Sequence, residues 1–181
     1  MANPDHLSRL MEGVQAWNSW RDGQPLTEVD LRGADLTGMD LRGADLWYAR
    51  LQGARLGGAL LNEAILDRAD LTLADFTGTN CFGTRMRGVI ADRTRFRGAA
   101  LVEADLTLAR LLRCDLEGTI FTGAVLLGTN LWGSDHESAH GLESNSGWIQ
   151  EEAGAVAEER HNVDRRSFHG LEGSPGSPRG D

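Results

Sequence analysis

A five-residue pattern of apolar and polar positions runs from residue 29 to residue 133 without an insertion or a deletion. It comprises 21 consecutive repeats, of which Val29-Asp-Leu-Arg-Gly33 is the first. A period of five matches neither the 3.6-residue period of a helix nor the sustained alternation of a flat strand. The pattern therefore predicts a stacked repeat array of short extended pieces, with a corner every five residues.

The third residue of each repeat, called the central position, predicts the core. Leu26, which lies five residues before the central position of the first full repeat, continues the same spacing. Including it, there are 22 central positions up to Leu131, and none is charged. The residue two places earlier is nearly always small, and two such positions on an extended backbone face the same side, so both point inward. Burying about twenty Leu-sized side chains, at roughly 1.5 to 3 kcal/mol each, makes a disulfide or a metal unnecessary for stability. The predicted core residues are Leu31, Leu36, Leu41, Leu46, Leu51, Leu56, Leu61, Leu66, Leu71, Phe76, Cys81, Met86, Phe96, Leu101, Leu106, Leu111, Leu116, Phe121, Leu126 and Leu131.

The remaining positions predict the outer surface and the corners. The residue between the two inward positions is Asp, Asn or Arg in most repeats, and a short Asp or Asn there can accept a hydrogen bond from a nearby turn amide. Glycine fills the last place in 13 of the 21 repeats, where the chain has to bend.

The repeats resemble the motif of the pentapeptide-repeat family, Ala-Asp/Asn-Leu followed by two variable residues. Resemblance to that family implies an all-β solenoid, a right-handed quadrilateral β-helix with four repeats to a coil and twenty residues per turn, here of about five coils. The motif is carried by Ala34-Asp35-Leu36, Ala44-Asp45-Leu46, Ala69-Asp70-Leu71, Ala74-Asp75-Phe76, Ala104-Asp105-Leu106 and Thr129-Asn130-Leu131.

Charge alternation supports the twenty-residue coil. Residues twenty apart would stack at the inter-strand spacing of about 4.8 Å, and one such column reads Asp35, Arg55, Asp75, Arg95 and Asp115. Opposite charges thus alternate along the column, although each exposed pair contributes only about 0.2 to 1 kcal/mol.

The chain divides into four predicted segments. Residues 1–23 form an N-terminal capping helix, because Asn3 can cap it and apolar residues from Leu7 to Trp20 follow helical spacing over residues 4 to 21. Residues 24–135 form the β-helix. Residues 136–160 form a C-terminal cap or short helix, which Ser146 would cap from Gly147 to about Arg160, and residues 161–181 form a disordered tail rich in Gly, Ser and Pro.

Near the C-terminal end of the array, outward positions turn apolar and need a cover. Two covers remain open: the chain's own continuation, or a homodimer through the C-terminal end, as occurs in several members of the resembled family. These possible interface residues are Leu108, Leu112, Ile120, Val125, Leu127 and Trp132.

The charge and the cysteines bear on partners and location. The chain has a net charge of −9, but residues 24 to 133 contain 12 Arg against 14 Asp or Glu, so the array is nearly neutral. Without a basic patch, we expect no direct binding of nucleic acid. Cys81 and Cys114 both occupy inward positions, which favours buried free thiols. Because residues 1–5 lack a signal-peptide pattern and no apolar run reaches the length of a membrane span, we expect a cytoplasmic, bacterial protein without membrane contact.

The sequence offers little for catalysis. All five histidines lie outside the repeats, and His136 and His140, which flank Glu137, supply at most half of a metal site. The glycines recur as corners rather than as a phosphate loop. We therefore expect no catalytic, metal-binding or cofactor-binding residues and no cofactor.

The resulting interpretation is a non-enzymatic, rigid scaffold that binds an unknown protein partner or acts as a structural spacer. The alternative comes from one branch of the resembled family, whose members mimic duplex DNA, modulate DNA gyrase or topoisomerase and protect them from quinolones. That role needs an acidic face along the rod, and here Arg interrupts the Asp columns.

Overall fold

Two short helices begin the chain, and a β-solenoid follows them. The structure, a computed structural model, describes residues 1–24 and 27–150. Helix α1 spans Pro4–Met11 and helix α2 spans Val14–Asp22. Asn3 caps α1 as predicted, since its side-chain oxygen accepts hydrogen bonds from the amides of Asp5 at 2.9 Å and His6 at 3.4 Å. The prediction of one continuous helix is wrong, because the chain turns at Gly13 with a φ of 107°, a conformation that glycine adopts without a side-chain clash.

Parallel bridges pair residues twenty positions apart and arrange them into four ladders. Each bridge involves one residue per coil rather than a long strand. The predicted twenty-residue spacing is confirmed in every ladder, and only the last bridge, between Asn130 and Ile149, spans nineteen positions. Ladder 1 contains Asp30, Arg50, Asp70, Ile90, Arg110, Asn130 and Ile149; ladder 2 contains Asp35, Arg55, Asp75, Arg95, Asp115 and Asp135; ladder 3 contains Asp40, Leu60, Asn80, Ala100, Ile120 and His140; ladder 4 contains Asp45, Ile65, Arg85, Asp105 and Val125.

The last residue of every repeat lies in the left-handed region of backbone conformation. The 13 glycines from Gly33 to Gly133 at this position have φ between 61° and 70°. The other eight repeats end in a residue with a side chain, yet φ there is between 55° and 62°. The predicted corners are therefore also present in the repeats that lack glycine. Those eight residues are Tyr48, Glu63, Arg68, Leu73, Arg93, Glu103, Leu108 and Arg113.

The interior of the solenoid is filled by its own side chains. Each of the twenty central residues predicted as core is at most 1 % exposed. The small residues at the first position of the repeats, mainly Ala and Thr, are buried beside them. Ala91, the smallest central residue, and Val89, which is larger than most at its position, are both fully buried.

Five buried hydroxyl groups link successive coils. Each donates a hydrogen bond of 2.6 to 2.8 Å to the backbone carbonyl of the central residue 23 positions earlier. Burying a hydroxyl without a partner costs free energy, and these bonds remove that cost. The donors are Thr84, Thr94, Thr119, Thr129 and Ser134.

The pairing extends beyond residue 135, the predicted end of the β-helix. Asp135, His140 and Ile149 continue ladders 2, 3 and 1, because backbone pairing does not require the five-residue motif. The helix predicted from Gly147 is not present over residues 147–150, where Ile149 donates to the Thr129 carbonyl at 2.8 Å. Its remainder, residues 151–160, and the predicted tail, residues 161–181, lie outside the described residues.

Candidate interaction surfaces

The outer surface of the solenoid includes two shallow grooves. The first is lined by Trp47, Asp67, Arg68 and Arg87. The second, called the ladder-1 groove below, is lined mainly by Leu73, Asp92, Arg93, Leu112, Arg113 and Trp132. Because the interior is packed with side chains, the described part of the chain offers these open surfaces rather than a deep cleft.

The structure brings three of the six predicted interface residues together. Leu108 and Leu127 are paired by a hydrogen bond of 2.8 Å from the Leu108 amide to the Leu127 carbonyl, and Val125 lies on ladder 4 in the same repeat as Leu127. These three side chains, called the ladder-4 patch, are 51 %, 61 % and 47 % exposed in the order Leu108, Leu127, Val125. Such a collection of exposed large apolar side chains marks a candidate contact surface.

The other three predicted residues lie elsewhere. Leu112 and Trp132 are half-buried and line the ladder-1 groove, while Ile120 is half-buried on ladder 3. The sequence could not distinguish these three residues from the ladder-4 patch. An apolar residue at an outward position can be assigned to a coil from the repeat register, but the register does not show which side chains lie next to each other around a corner.

The solenoid has its own cover at the C-terminal end. Leu142 is 6 % exposed and joins the core, and the half-buried Ala139 and Trp148 pack against it. These residues cover the interior, but they leave the ladder-4 patch exposed within the described part of the chain.

Most arginines of the array form ion pairs with neighbouring carboxylates. Arg95 contacts Asp75 at 2.7 Å and Arg55 contacts Asp35 at 3.5 Å, in agreement with the alternating column. Other pairs differ from that column, because Arg97 rather than Arg95 contacts Asp115. Nine of the 12 arginines between residues 24 and 133 are paired in this way: Arg32, Arg42, Arg50, Arg55, Arg85, Arg87, Arg95, Arg97 and Arg110.

Some of these contacts lower the pKa of the carboxyl group. A hydrogen bond from Arg32 lowers the pKa of Asp30 to about 2, and Arg42 has the same effect on the pKa of Asp40. Burial raises the pKa of Asp75, but hydrogen bonds from Arg95 and Thr77 outweigh it and bring the pKa to about 2. A carboxyl group with such a pKa is ionised at neutral pH and is a poor proton donor or acceptor for catalysis.

The predicted outward role of Asp and Asn is confirmed. In ten repeats the side-chain oxygen accepts a hydrogen bond from the amide two residues later, as Asp75 does from Thr77 at 3.0 Å and Asn80 from Phe82 at 3.1 Å. The carboxylates therefore have a structural task at the turn.

The thiols and the histidines provide no clustered site. Cys81 and Cys114 are buried free cysteines, and burial raises their pKa to about 11 and about 12. His136 contacts Gln150 and the Ser134 carbonyl, whereas His140 belongs to ladder 3. Within residues 1–24 and 27–150, no group of three or more His, Cys, Asp or Glu is placed to hold a metal ion.

Sequence reasoning missed the polar residues that close the N-terminal end. The Asn18 side chain donates to the Gly43 carbonyl and accepts from the Asp45 amide, both at 2.9 Å. Trp17 donates from its indole nitrogen to the Asp45 carbonyl at 2.8 Å. Arg21, only 2 % exposed, donates to the carbonyls of Thr27 and Trp47. The apolar stripe of α2 predicts that Trp17 is buried, but it does not predict that the polar residues Asn18 and Arg21 also bond the first coil.

On ladder 1 the same end is closed by α1 and its cap. The Asp30 amide donates to His6 Nδ1 at 3.0 Å, and the Asn3 amide donates to the Asp30 carbonyl at 2.9 Å. The predicted capping role of the N-terminal segment thus rests on hydrogen bonds to the first coil as well as on apolar packing.

None of the helices in the described residues is both long and apolar enough to cross a membrane.

A family profile described as Pentapeptide repeats matches the chain over residues 26–62, 54–90 and 92–128, with eight copies. Together these ranges cover more than half of the sequence. Among the curated proteins, none has a significantly similar sequence.

Several solved structures are similar to the chain. A pentapeptide repeat protein, Rfr23, from the cyanobacterium Cyanothece 51142 is 31 % identical, with a TM-score of 0.48, and the match covers 50 % of this chain and 63 % of that one. HetL, a pentapeptide repeat protein involved in heterocyst differentiation regulation in the cyanobacterium Nostoc, is 29 % identical over 68 % of this chain and 64 % of its own, with a TM-score of 0.27.

A third similar structure is QnrB1, a plasmid-mediated fluoroquinolone resistance protein. It is 24 % identical over 57 % of this chain and 65 % of its own, with a TM-score of 0.41. The chain therefore spans a little under two thirds of the length of each of these three structures.

Proposed function

Because the chain belongs to the pentapeptide-repeat family, we propose that it is a non-enzymatic scaffold whose rigid outer surface holds a protein partner. In this proposal the solenoid is a right-handed β-helix of about five coils that is extended by the residues after 135. Its filled interior supports the proposal, since the central side chains of the described coils are buried against one another along the solenoid.

The ladder-4 patch is the observation on which the proposal rests. Leu108, Val125 and Leu127 are all close to half exposed or more, although they lie beside a fully buried core. Large apolar side chains grouped on a surface lose contact with water when a partner binds, which favours association. A second copy of this chain is one candidate partner, and an unrelated protein is the other.

A double variant of the patch tests the proposal. We expect the full chain with Leu108→Asp and Leu127→Asp to lose the proteins retained by the wild type in a pull-down, because charged groups would have to be buried at the contact. Leu60→Asp is the matched control, since Leu60 is 37 % exposed and lies on ladder 3. Equal retention by the wild type and the double variant would contradict the role of the patch.

Light scattering on the same three proteins distinguishes the two candidate partners. A wild-type mass of two chains that falls to one in the double variant would identify the partner as a second copy. A single-chain mass throughout would leave an unrelated protein as the partner.

The pattern of ion pairs weighs against the alternative role as a DNA mimic. A duplex carries an uninterrupted series of negative charges, whereas here nine arginines pair with the carboxylates along the rod. We therefore expect no effect of the purified chain on DNA gyrase in a supercoiling assay, with or without a quinolone. Inhibition or quinolone protection at stoichiometric concentration would overturn this expectation.

A further inference from the structure

We propose that the ladder-1 groove binds an extended acidic segment of a partner protein that carries an apolar side chain beside its carboxylates. The inference rests on the proposed scaffold function and names the chemistry of a partner. It concerns a different surface from the ladder-4 patch.

The first observation is the unequal pairing of arginines. Nine of the 12 in the array contact a carboxylate, whereas Arg68, Arg93 and Arg113 form no ion pair with any of the described residues. Two of these three, Arg93 and Arg113, line the same groove. As far as the described residues are concerned, their guanidinium groups are therefore available to an incoming anion.

The second observation is the geometry of the two arginines. Each is the last residue of its repeat, with φ of 55° for Arg93 and 56° for Arg113, and they are one coil apart. The Arg93 amide donates to the Leu112 carbonyl at 2.8 Å, and the Arg113 amide donates to the Trp132 carbonyl at 3.0 Å. Their backbones thus stack at the inter-strand spacing of about 4.8 Å, which places two positive groups along one corner.

The third observation is the apolar surface around them. Leu73, at the same corner one coil earlier, is 61 % exposed, and Leu112 and Trp132 are half-buried in the groove. The Arg113 guanidinium lies 4.9 Å from the centre of the Trp132 ring. This contact limits the freedom of both side chains before binding, and Trp and Arg are the residue types most enriched at the energetic centres of interfaces.

Charge complementarity selects the occupant. A guanidinium binds a carboxylate through two parallel hydrogen bonds, and the neighbouring leucines and the indole favour an apolar side chain next to it. A nucleic acid fits less well, because it needs many cationic contacts and the groove supplies two arginines that lack an ion pair among the described residues. The groove also has Asp92 on its wall. Asp92 itself is already neutralised by Arg110, to which it is joined by a hydrogen bond of 2.9 Å.

Fluorescence anisotropy tests the proposal with a labelled peptide in which glutamate and leucine alternate. We expect the full-length chain to bind it, and Arg93→Glu and Arg113→Glu each to weaken binding by about tenfold or more, because each places a negative charge against the peptide. Binding should also weaken as salt is raised. A peptide in which lysine replaces every glutamate is expected not to bind.

Arg68→Glu provides the matched control. Arg68 is also an exposed corner residue without an ion pair among the described residues, with φ of 60°, but it lines the other groove. Glutamate is tolerated at such corners, since Glu63 and Glu103 occupy two of them. We expect Arg68→Glu to bind the peptide within about twofold of the wild type, and thermal melts should show that all three variants are folded.

Four outcomes would overturn the proposal: no binding of the acidic peptide, equal binding by the Arg113→Glu variant, equal binding of the lysine peptide, or tighter binding of single-stranded DNA than of the peptide. A fifth concerns the chain's own sequence, which contains Glu151, Glu152, Glu158 and Glu159. If the peptide binds only after these four are replaced by Gln, the groove belongs to the chain itself and not to a partner.

The two proposals fail separately. Leu108→Asp with Leu127→Asp changes the ladder-4 patch and should leave peptide binding unchanged. If the Leu108→Asp, Leu127→Asp variant loses the retained proteins but still binds the peptide, the result supports the scaffold function and does not bear on the groove. If Arg113→Glu loses peptide binding but still retains the proteins, the result supports the groove.

Discussion

At the scale of single residues, the corner of each repeat makes the most specific demand on the sequence. All 21 corner residues have a positive φ, although eight of them carry a side chain. For such a residue the left-handed conformation costs about 1 to 2 kcal/mol. The array therefore retains backbone strain at those eight corners. The burial of the adjacent central residues offsets the free energy of this strain.

The neighbouring glycines Gly57 and Gly58 allow this cost to be measured. Gly58 has a φ of 67°, and a Cβ added there would meet no atom within 4 Å. Gly57 lies outside the left-handed region, and a Cβ added there would make an ordinary contact of 3.8 Å with the Thr77 carbonyl oxygen. We predict that Gly58→Ala lowers the free energy of unfolding by about 1 to 2 kcal/mol. Gly57→Ala should raise it by about 0.4 to 1 kcal/mol, because it restricts the unfolded chain.

Urea unfolding of the two single variants and the wild type measures both effects. The corner account would be refuted by a Gly58→Ala variant that is as stable as Gly57→Ala.

The thiols are the second residue-scale case. Because Cys81 and Cys114 are buried and their pKa values are raised to about 11 and about 12, the reactive thiolate is scarce at pH 8. We predict that neither reacts with Ellman's reagent in the folded protein and that both react at once in denaturant. Absorbance at the reagent's product band gives the number of thiols that have reacted. A rapid reaction of one thiol without denaturant would contradict the prediction and show that the coils around that cysteine open.

Sequence reasoning succeeded at this scale where side-chain type alone carries the information. Leu, Phe and Met at central positions recur often enough to predict the core. The corner at Leu73 or Arg93 could not be predicted in the same way, since these residues disfavour positive φ and only the coil around them imposes it. The interior hydroxyl bonds were also missed, because a Thr in place of an Ala does not reveal which carbonyl lies 23 positions away.

At the scale of elements, the N-terminal helices are tied to the first coil by polar groups. The buried guanidinium of Arg21 donates to three carbonyls at 3.0, 3.2 and 3.5 Å and lies 3.6 Å from the Asp45 carboxylate. A planar group with several donors can satisfy such a set of acceptors, whereas a lysine ammonium cannot reach them together.

We predict that Arg21→Ala lowers the free energy of unfolding by about 2 to 4 kcal/mol, because buried carbonyls lose their donors. Arg21→Lys should recover less than half of the loss. Arg9→Ala, which removes an exposed guanidinium stacked on Trp20, is the control and should cost less than about 1 kcal/mol. Equal destabilisation by Arg21→Ala and Arg9→Ala in urea titrations would rule out a special role for the buried arginine.

The limits of prediction differ between the two ends. The cap at Asn3 could be predicted from local sequence, while the break at Gly13 could not, since apolar spacing continues across it from Leu10 to Val14 and Trp17. After residue 135 the motif disappears but the pairing does not, because bridges such as that between Ile120 and His140 need only backbone groups.

At the scale of the whole molecule, ion pairs along the rod make stability depend on pH. The folded-state pKa of Asp75 is about 2, below the value of about 3.9 in an unfolded chain. A lowered carboxyl pKa contributes stability that is present above the unfolded pKa and is lost as pH falls through the folded one. For Asp75 that window runs from about pH 4 down to about pH 2.

We therefore predict that Asp75→Asn destabilises the protein at pH 7 and that the difference from the wild type shrinks towards zero near pH 2. Asn can keep the hydrogen bond to the turn amide, as Asn80 does, so the substitution isolates the charge. Urea unfolding at pH 7, 4, 3 and 2 provides the measurement. A difference that stays constant over this range would exclude the ion pair with Arg95 as its source.

The side-chain amide of Asn18 has a consequence for how copies of the molecule could join. Because its oxygen is an acceptor like that of a peptide unit, it accepts a hydrogen bond from the Asp45 amide, while the Trp17 indole donates to the Asp45 carbonyl. These two backbone groups are the ones that a strand from a neighbouring chain would pair with on ladder 4. Asn18 and Trp17 together therefore oppose fibre-like growth from this side of the first coil. Grafting both residues, with their helix, beneath an uncapped square solenoid would be a compact way to keep it from polymerising.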